Sequence, residues 1–149
     1  MRIRHYRSSD FETLYQIDQA CFPSGIAYPR DELTHFITQP GSRTWVAESG
    51  EETIGFLIVC LEPEETAHIV TIDVTASSRR QGVGGALMDV AEKWAREEKA
   101  DFLYLETAED NLDAQRFYQA RGYFRVEKID HYYSDGTAAW VMAKSLRTR

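Results

Sequence analysis

Residues 79–86 have the sequence Arg-Arg-Gln-Gly-Val-Gly-Gly-Ala and lie between a β-rich run that ends at Val74 and a helical pattern that extends to about residue 99. Glycines at the start of a helix allow backbone amides to point toward a ligand, and the helix N-terminus adds partial positive charge. Arginines beside such a turn can pair with phosphate oxygens. The run therefore predicts a diphosphate-binding loop, and a glycine-rich turn with two solvated arginines is the plainer interpretation.

The spacing separates this loop from two familiar phosphate-binding loops. A Walker loop requires Gly-Lys-Ser/Thr, which residues 79–86 lack. A dinucleotide fingerprint requires a third glycine where Leu87 stands, and its glycine turn leaves the strand at once. Here residues 75–81 separate the strand end from Gly82. A dinucleotide-binding module is therefore the weaker alternative.

The residues on either side of the loop predict a mixed α/β sheet with a βαβ unit at its centre. Ser9 and Glu12 have the spacing of a capping box at the first helix, and Gly122 is placed to end the last one. The predicted strands cover residues 2–6, 43–48, 53–61, 67–74, 102–107, 124–133 and about 137–143, and the predicted helices cover residues 9–20, 29–38, 84–99 and 112–121.

A second motif follows this central unit. Asn111 opens a helix that carries Phe117 and Tyr118 and ends at Gly122-Tyr123. Together with Arg79-x-x-Gly82-x-Gly84 and the strand end Ile72-x-Val74, this motif resembles the GNAT N-acetyltransferase superfamily, and its pattern is closest to ribosomal-protein and other protein N-terminal (alanine-type) acetyltransferases. The resemblance implies one acetyltransferase domain over residues 1–149, with a mostly antiparallel sheet whose two parallel strands splay apart.

The resemblance also implies that acetyl-CoA is the acyl donor. The Val74 N–H would face the thioester oxygen, and Asn111 would bind the pantetheine arm in addition to capping its own helix. The coenzyme would be bound by Ile72, Val74, Arg79, Arg80, Gln81, Gly82, Val83, Gly84, Gly85, Ala86, Asn111, Ala114, Phe117 and Tyr118.

Two residues are candidates for proton transfer. Glu106 stands at a strand end and could be the base for an ammonium group, and Tyr118 could donate its proton to the departing thiolate. The plainer interpretations are a solvated carboxylate and a core aromatic residue, and the resemblance favours the catalytic roles. The four histidines, His5, His35, His68 and His131, lack ligand spacing, so they are interpreted as structural or surface residues, and no metal site is predicted.

The acceptor is predicted from two loops. By resemblance, Phe22, Pro23 and Tyr28 in one loop, with Tyr132 and Tyr133 in the other and Glu106 between them, would hold the N-terminus of a peptide or protein, a ribosomal protein being one candidate. Ala138-Ala139 departs from the Asp-Ala of many relatives, so the register of the peptide stays open. The alternatives are a polyamine, an aminoglycoside or a lysine side chain as acceptor, and a non-catalytic acyl-CoA sensor.

Composition limits the partners. Lys and Arg number 17 against 24 Asp and Glu, which gives a net charge of −7 and disfavours nucleic acid and anionic membranes. No apolar run approaches the length of a membrane span, and Cys21 and Cys60 lie in apolar settings that favour free thiols. We expect a cytoplasmic monomer or homodimer.

Overall fold

The computed structural model describes residues 1–147. Its strands are β1 Arg2–His5, β2 Ser42–Ser49, β3 Glu52–Glu62, β4 Thr66–Val74, β5 Phe102–Ala108, β6 Phe124–Ile129 and β7 Ala139–Ser145. Its α-helices are α1 Phe11–Cys21, α2 Arg30–Thr38, α3 Val83–Glu97 and α4 Leu112–Ala120.

The strands form a seven-stranded sheet within the described residues, in the order β1-β2-β3-β4-β5-β7-β6. Every neighbouring pair is antiparallel except β4 and β5, which are parallel and are connected through α3. The predicted mixed sheet with a central βαβ unit is therefore confirmed.

The two parallel strands separate soon after they meet. They pair only from Thr66 opposite Phe102 to His68 opposite Tyr104, although both strands continue well beyond this point. The pairing with β3 shifts between residues 69 and 71, so that Val70 is an extra residue that bulges from β4. The predicted splay is confirmed, and it opens a gap lined by unpaired backbone in the middle of the sheet.

Helices cover both faces of the sheet and support this gap. Leu87 and Met88 of α3 pack with Tyr123 in the core on one face. Leu14 of α1 and Leu33 of α2 form the core on the other. The walls of the gap are consequently held by packed elements on either side.

Two predicted boundaries are wrong. The proposed Ser9/Glu12 capping box does not form, because a short turn at Ser8–Asp10 precedes α1 and Asp10 accepts the Arg7 N–H at 2.7 Å instead. The predicted strand over residues 124–133 ends at Ile129, since His131 adopts a positive φ of 54° and turns the chain.

Cys21 and Cys60 are both free thiols. Within residues 1–147, none of the helices combines the length and the apolar character needed to cross a bilayer. In the same part of the chain, no three His, Cys, Asp or Glu side chains are grouped so as to hold a metal ion.

Candidate active site

Two adjoining cavities occupy the gap between β4 and β5. We call the smaller one, of about 430 Å³, the tyrosine cavity, because Tyr28, Tyr118, Tyr132 and Tyr133 line it. The larger one, of about 900 Å³, is the glycine-loop cavity, which is lined by residues 82–85 together with the end of β4 and one face of α4. Their common boundary consists of Cys21, Phe22, Ile72, Asn111, Ala114 and Tyr118. Two molecules bound in separate cavities can therefore meet at this boundary.

The glycine-loop cavity has the features of an anion site. Gly82 has a φ of 84° and turns the chain into α3, whose first amides are not capped by a side chain. Arg79, Arg80 and Arg116 line the same cavity. The first amides of α3 and the guanidinium groups of these arginines thus lie around a space where a diphosphate could bind. Arg116 is a residue that the sequence did not indicate.

Two residues predicted to bind the coenzyme lie outside this lining. Gln81 and Ala86 do not line the cavity, whereas Val83, Gly84 and Gly85 do. The Gln81 side chain donates to the Ser77 carbonyl at 3.3 Å, and the Ala86 N–H donates to the Gly82 carbonyl at 3.0 Å. The Ala86 amide is therefore used within α3.

Helix α4 brings its predicted residues to the boundary between the cavities. The Asn111 side chain accepts the Ala114 N–H at 3.2 Å and so caps the helix, as predicted. Phe117 lines the glycine-loop cavity beside Gly84, where an added Cβ would lie 3.4 Å from its ring. Burial, with a further contribution from the charge of Asp73, raises the pKa of Tyr118.

A carboxylate and an imidazole face each other in the gap. Glu106 of β5 lines the tyrosine cavity, and its Oε1 lies 2.6 Å from Nε2 of His68 on β4. The other imidazole nitrogen lies 3.4 Å from Glu62, and Tyr104 stacks on the ring and donates to Glu62. His68 therefore lies between two carboxylates, within hydrogen-bonding distance of Glu106 and at ion-pair distance from Glu62. From the sequence, His68 is predicted to be a structural or surface residue, so its pairing with Glu106 is a contact that the sequence did not indicate.

The two predicted acceptor loops meet above the tyrosine cavity. Phe22, Pro23 and Tyr28 line it from one side, and Tyr132 and Tyr133 line it from the other. Burial and the charge of Glu106 raise the pKa of Tyr132 to about 12. Asp110, which from the sequence could attract a cationic amine or simply belong to a solvated turn, also lines this cavity, as does Asp135, which the sequence did not indicate.

Comparison with known proteins shows which family the chain belongs to. The model of the Acetyltransferase (GNAT) family matches residues 11–123. This chain belongs to the GNAT acetyltransferase family. It is an acetyl-CoA-dependent N-acetyltransferase. This activity replaces the alternatives of a dinucleotide-binding module and a non-catalytic acyl-CoA sensor.

Relatives of this GNAT enzyme include N-alpha-acetyltransferases. An N-alpha-acetyltransferase of Sulfurisphaera tokodaii is 29% identical over 97% of this chain and 93% of its own length. The crystal structure of Ard1 from Thermoplasma volcanium has a TM-score of 0.89 at 28% identity and covers 99% of this chain and 98% of that one. The ribosomal-protein-S18-alanine N-acetyltransferase of Escherichia coli shares the fold, with a TM-score of 0.86 at 21% identity over 99% of this chain and 95% of that one.

A direct contact joins the two acceptor loops beside the tyrosine cavity of this GNAT enzyme. The Ser134 hydroxyl donates to the Gly25 carbonyl at 2.7 Å. Gly25 has a φ of 92°, and an added Cβ would lie 3.1 Å from the Asp135 Cβ. This close approach and the positive φ favour glycine at this position, so the sequence allows the two loops to meet.

Proposed function

We propose that this enzyme transfers the acetyl group of acetyl-CoA to the N-terminal α-amine of a peptide or protein, by direct attack in a ternary complex. The observation that carries the proposal is the Glu106–His68 pair, whose carboxylate lines a cavity that meets a second, arginine-lined cavity at Tyr118. An amine beside Glu106 and a thioester entering from the glycine loop would approach each other at this boundary.

In the proposed complex, the acyl donor acetyl-CoA occupies the glycine-loop cavity. The diphosphate would bind the amides of α3 and the arginines around it, Arg79, Arg80 and Arg116. The pantetheine arm would lie along the backbone of Ile72 and Val74, in the part of β4 that no longer pairs with β5. The Val74 N–H is the proposed donor to the thioester oxygen, where negative charge develops during attack.

Glu106 is the proposed base in the acceptor half. It would take a proton from the ammonium group and leave the amine free to attack the thioester carbonyl. His68 would pass the proton to Glu62, whose side chain is 35% exposed and can return the proton to water.

Tyr118 is the proposed acid. Its raised pKa keeps the phenol protonated at neutral pH, and its place on the common boundary brings it near both reactants. As the tetrahedral intermediate collapses, the C–S bond breaks and the phenolic proton would go to the coenzyme A sulfur.

An α-amine suits this cavity better than a lysine side chain. Its ordinary pKa is about 7.7 to 8.0, against about 10.4 for lysine, so a single carboxylate removes its proton more easily. Phe22, Pro23 and Ile26 supply an apolar wall for the first side chain.

Peptide length should affect the rate. We expect kcat/KM to rise from a free amino acid to a short peptide with the same N-terminus, because Tyr28, Tyr132 and Tyr133 can contact the backbone that a peptide adds. Tyr133→Ala should lower kcat/KM for the peptide by about tenfold, with a smaller change in acetyl-CoA affinity. Thiol release across peptides, polyamines and aminoglycosides measures this, with Tyr15→Ala as control, because Tyr15 of α1 lines neither cavity. Faster turnover of a polyamine or aminoglycoside than of every peptide, or acetylation of lysine side chains alone, would exclude the α-amine.

The glycine loop can be tested by binding. Gly82→Val should weaken coenzyme A binding at least tenfold, about 1.4 kcal/mol, because the side chain strains the turn and covers the amides. Gly50→Val is the matched control, since Gly50 also has a positive φ and open space around it but lies in the β2–β3 turn. Calorimetric titration of the folded proteins should show weaker coenzyme A binding for Gly82→Val and unchanged binding for Gly50→Val. Equal coenzyme A affinity in all three proteins would contradict the assignment.

A further inference from the structure

Two buried aspartates are neighbours where α1 meets the stretch of β4 that lines the glycine-loop cavity. Asp18 of α1 is 0% exposed, and Asp73 of β4, between Ile72 and Val74, is 1% exposed. The Cys21 thiol at the end of α1 donates to the Val74 carbonyl at 3.4 Å, so this end of α1 lies against β4 at Asp73, and the two carboxyl groups are neighbours. A buried carboxyl pair is costly unless its charges and lone pairs are compensated, so the partners of each oxygen decide what this pair does.

One oxygen of each carboxyl has a donor and the other has none. Asp18 Oδ2 accepts the Tyr28 N–H at 2.7 Å, and Asp73 Oδ1 accepts the Thr71 hydroxyl at 2.6 Å. Asp18 Oδ1 and Asp73 Oδ2 are both buried without a hydrogen-bond partner among the described residues. Two adjacent carboxylates would repel each other, whereas one proton between these oxygens would satisfy both.

The surrounding groups do not neutralise the pair. The Arg79 guanidinium donates to the Val74 carbonyl at 3.1 Å and to the Cys21 sulfur at 3.7 Å, and no direct contact joins it to either carboxyl. The other titratable groups that face the pair are the Cys21 thiol and the Tyr28 and Tyr118 phenols, which are uncharged when protonated. Burial, and after it the neighbouring Asp18 carboxyl, raise the pKa of Asp73 well above the ordinary 3.8, whereas the charge of Arg79 opposes this effect.

We propose that Asp18 and Asp73 share one proton and that this bond positions the Tyr28 loop on β4. Tyr28 is held at both ends, by its N–H on Asp18 and by its hydroxyl on the carbonyl of the bulged Val70 at 3.2 Å. The shared proton completes a closed set of bonds that joins α1, the loop and β4. The aspartates are positioning residues that act through Tyr28, and the proposal holds whichever amine is acetylated.

Infrared spectroscopy tests for the shared proton directly. Wild-type protein at neutral pH should show the carbonyl stretch of a protonated carboxyl, and Asp73→Asn and Asp18→Asn should each abolish it. The asparagine amide can donate to the remaining carboxylate, so both variants should keep the loop in place. Absence of the band from wild type, or its persistence in both variants, would overturn the proposal.

The pH dependence of folding supplies the second readout. Folding raises the pKa of Asp73, so this carboxyl stabilises the fold fully at pH values below about its ordinary pKa of 3.8. This stabilisation is lost as the pH rises toward the pKa of the folded state. The unfolding free energy of wild type minus that of Asp73→Asn should therefore fall with rising pH. Asp10→Asn is the control, since the hydrogen bond from Arg4 lowers the pKa of Asp10 and the corresponding difference should rise with pH. A difference for Asp73→Asn that stays flat with pH would refute the shared proton.

Amide hydrogen exchange of residues 22–29 tests the positioning role. In Asp73→Leu, which removes the bond, protection of this loop should fall by about tenfold. In Asp73→Asn the loop should stay protected and should not loosen at alkaline pH, whereas the wild-type loop should loosen there. Equal protection in wild type and Asp73→Leu would contradict the positioning role, as would the same pH dependence in wild type and Asp73→Asn.

Discussion

Glu106→Gln is expected to lower kcat/KM for a peptide acceptor by about a hundredfold at neutral pH, because the amide keeps the shape of the side chain and cannot take a proton from the ammonium group. The loss should shrink as the pH rises, since the α-amine then deprotonates without help. Acetyl-CoA affinity should stay close to wild type, because Glu106 lines the tyrosine cavity and not the glycine-loop cavity. Thiol release measured from acid to alkaline pH, with calorimetry of coenzyme A binding, gives both quantities.

A neighbouring glutamate provides the control for this experiment. Glu109 follows the same strand, is exposed and pairs with Lys128 at 2.8 Å, so Glu109→Gln should leave the rate unchanged. Glu62→Gln should have an intermediate effect, because His68 keeps its contact with Glu106 and loses only the outer carboxylate. The base assignment fails if Glu106→Gln and wild type have the same rate at low pH.

Tyr118→Phe is expected to lower kcat by about a hundredfold, because it removes the proton donor to the thiolate while the ring still fills its buried position. The dissociation constant of acetyl-CoA should change little. Single-turnover measurements separate the chemical step from product release and so identify which rate has changed.

Tyr123 is a matched control for this substitution. It is also buried, its ring lies 5.9 Å from that of Tyr118, and its hydroxyl donates to Glu92 at 2.9 Å, away from both cavities. Tyr123→Phe should reduce thermal stability and leave kcat near wild type, since it breaks only the bond to Glu92. A Tyr118→Phe enzyme as fast as wild type, with chemistry rate-limiting, would remove Tyr118 from the role of acid.

Local patterns allowed much of the fold to be predicted. The glycine turn that starts α3 and the Asn111 cap that starts α4 each depend on contacts within one turn of chain. Both occur where the sequence predicted them. Most strand and helix positions could be predicted for the same reason, because hydrophobic periodicity repeats over a few residues. The start of α1 and the end of β6 were misjudged, since the contact of Arg4 with Asp10 and the turn at His131 compete with those patterns.

By itself, the sequence determined the family, the order of the elements and most of the residues that line the glycine-loop cavity, because short-range spacing encodes them. Only the tertiary structure decided which distant side chains meet. His68 pairs with Glu106 because three residue pairs set the parallel register of β4 and β5, and the strands then part. Asp18 meets Asp73 because α1 packs across the face of β4, and Gly25 meets Ser134 because their loops come together above the gap. Strand register and helix packing depend on the whole core, so no local pattern in the sequence reveals these contacts.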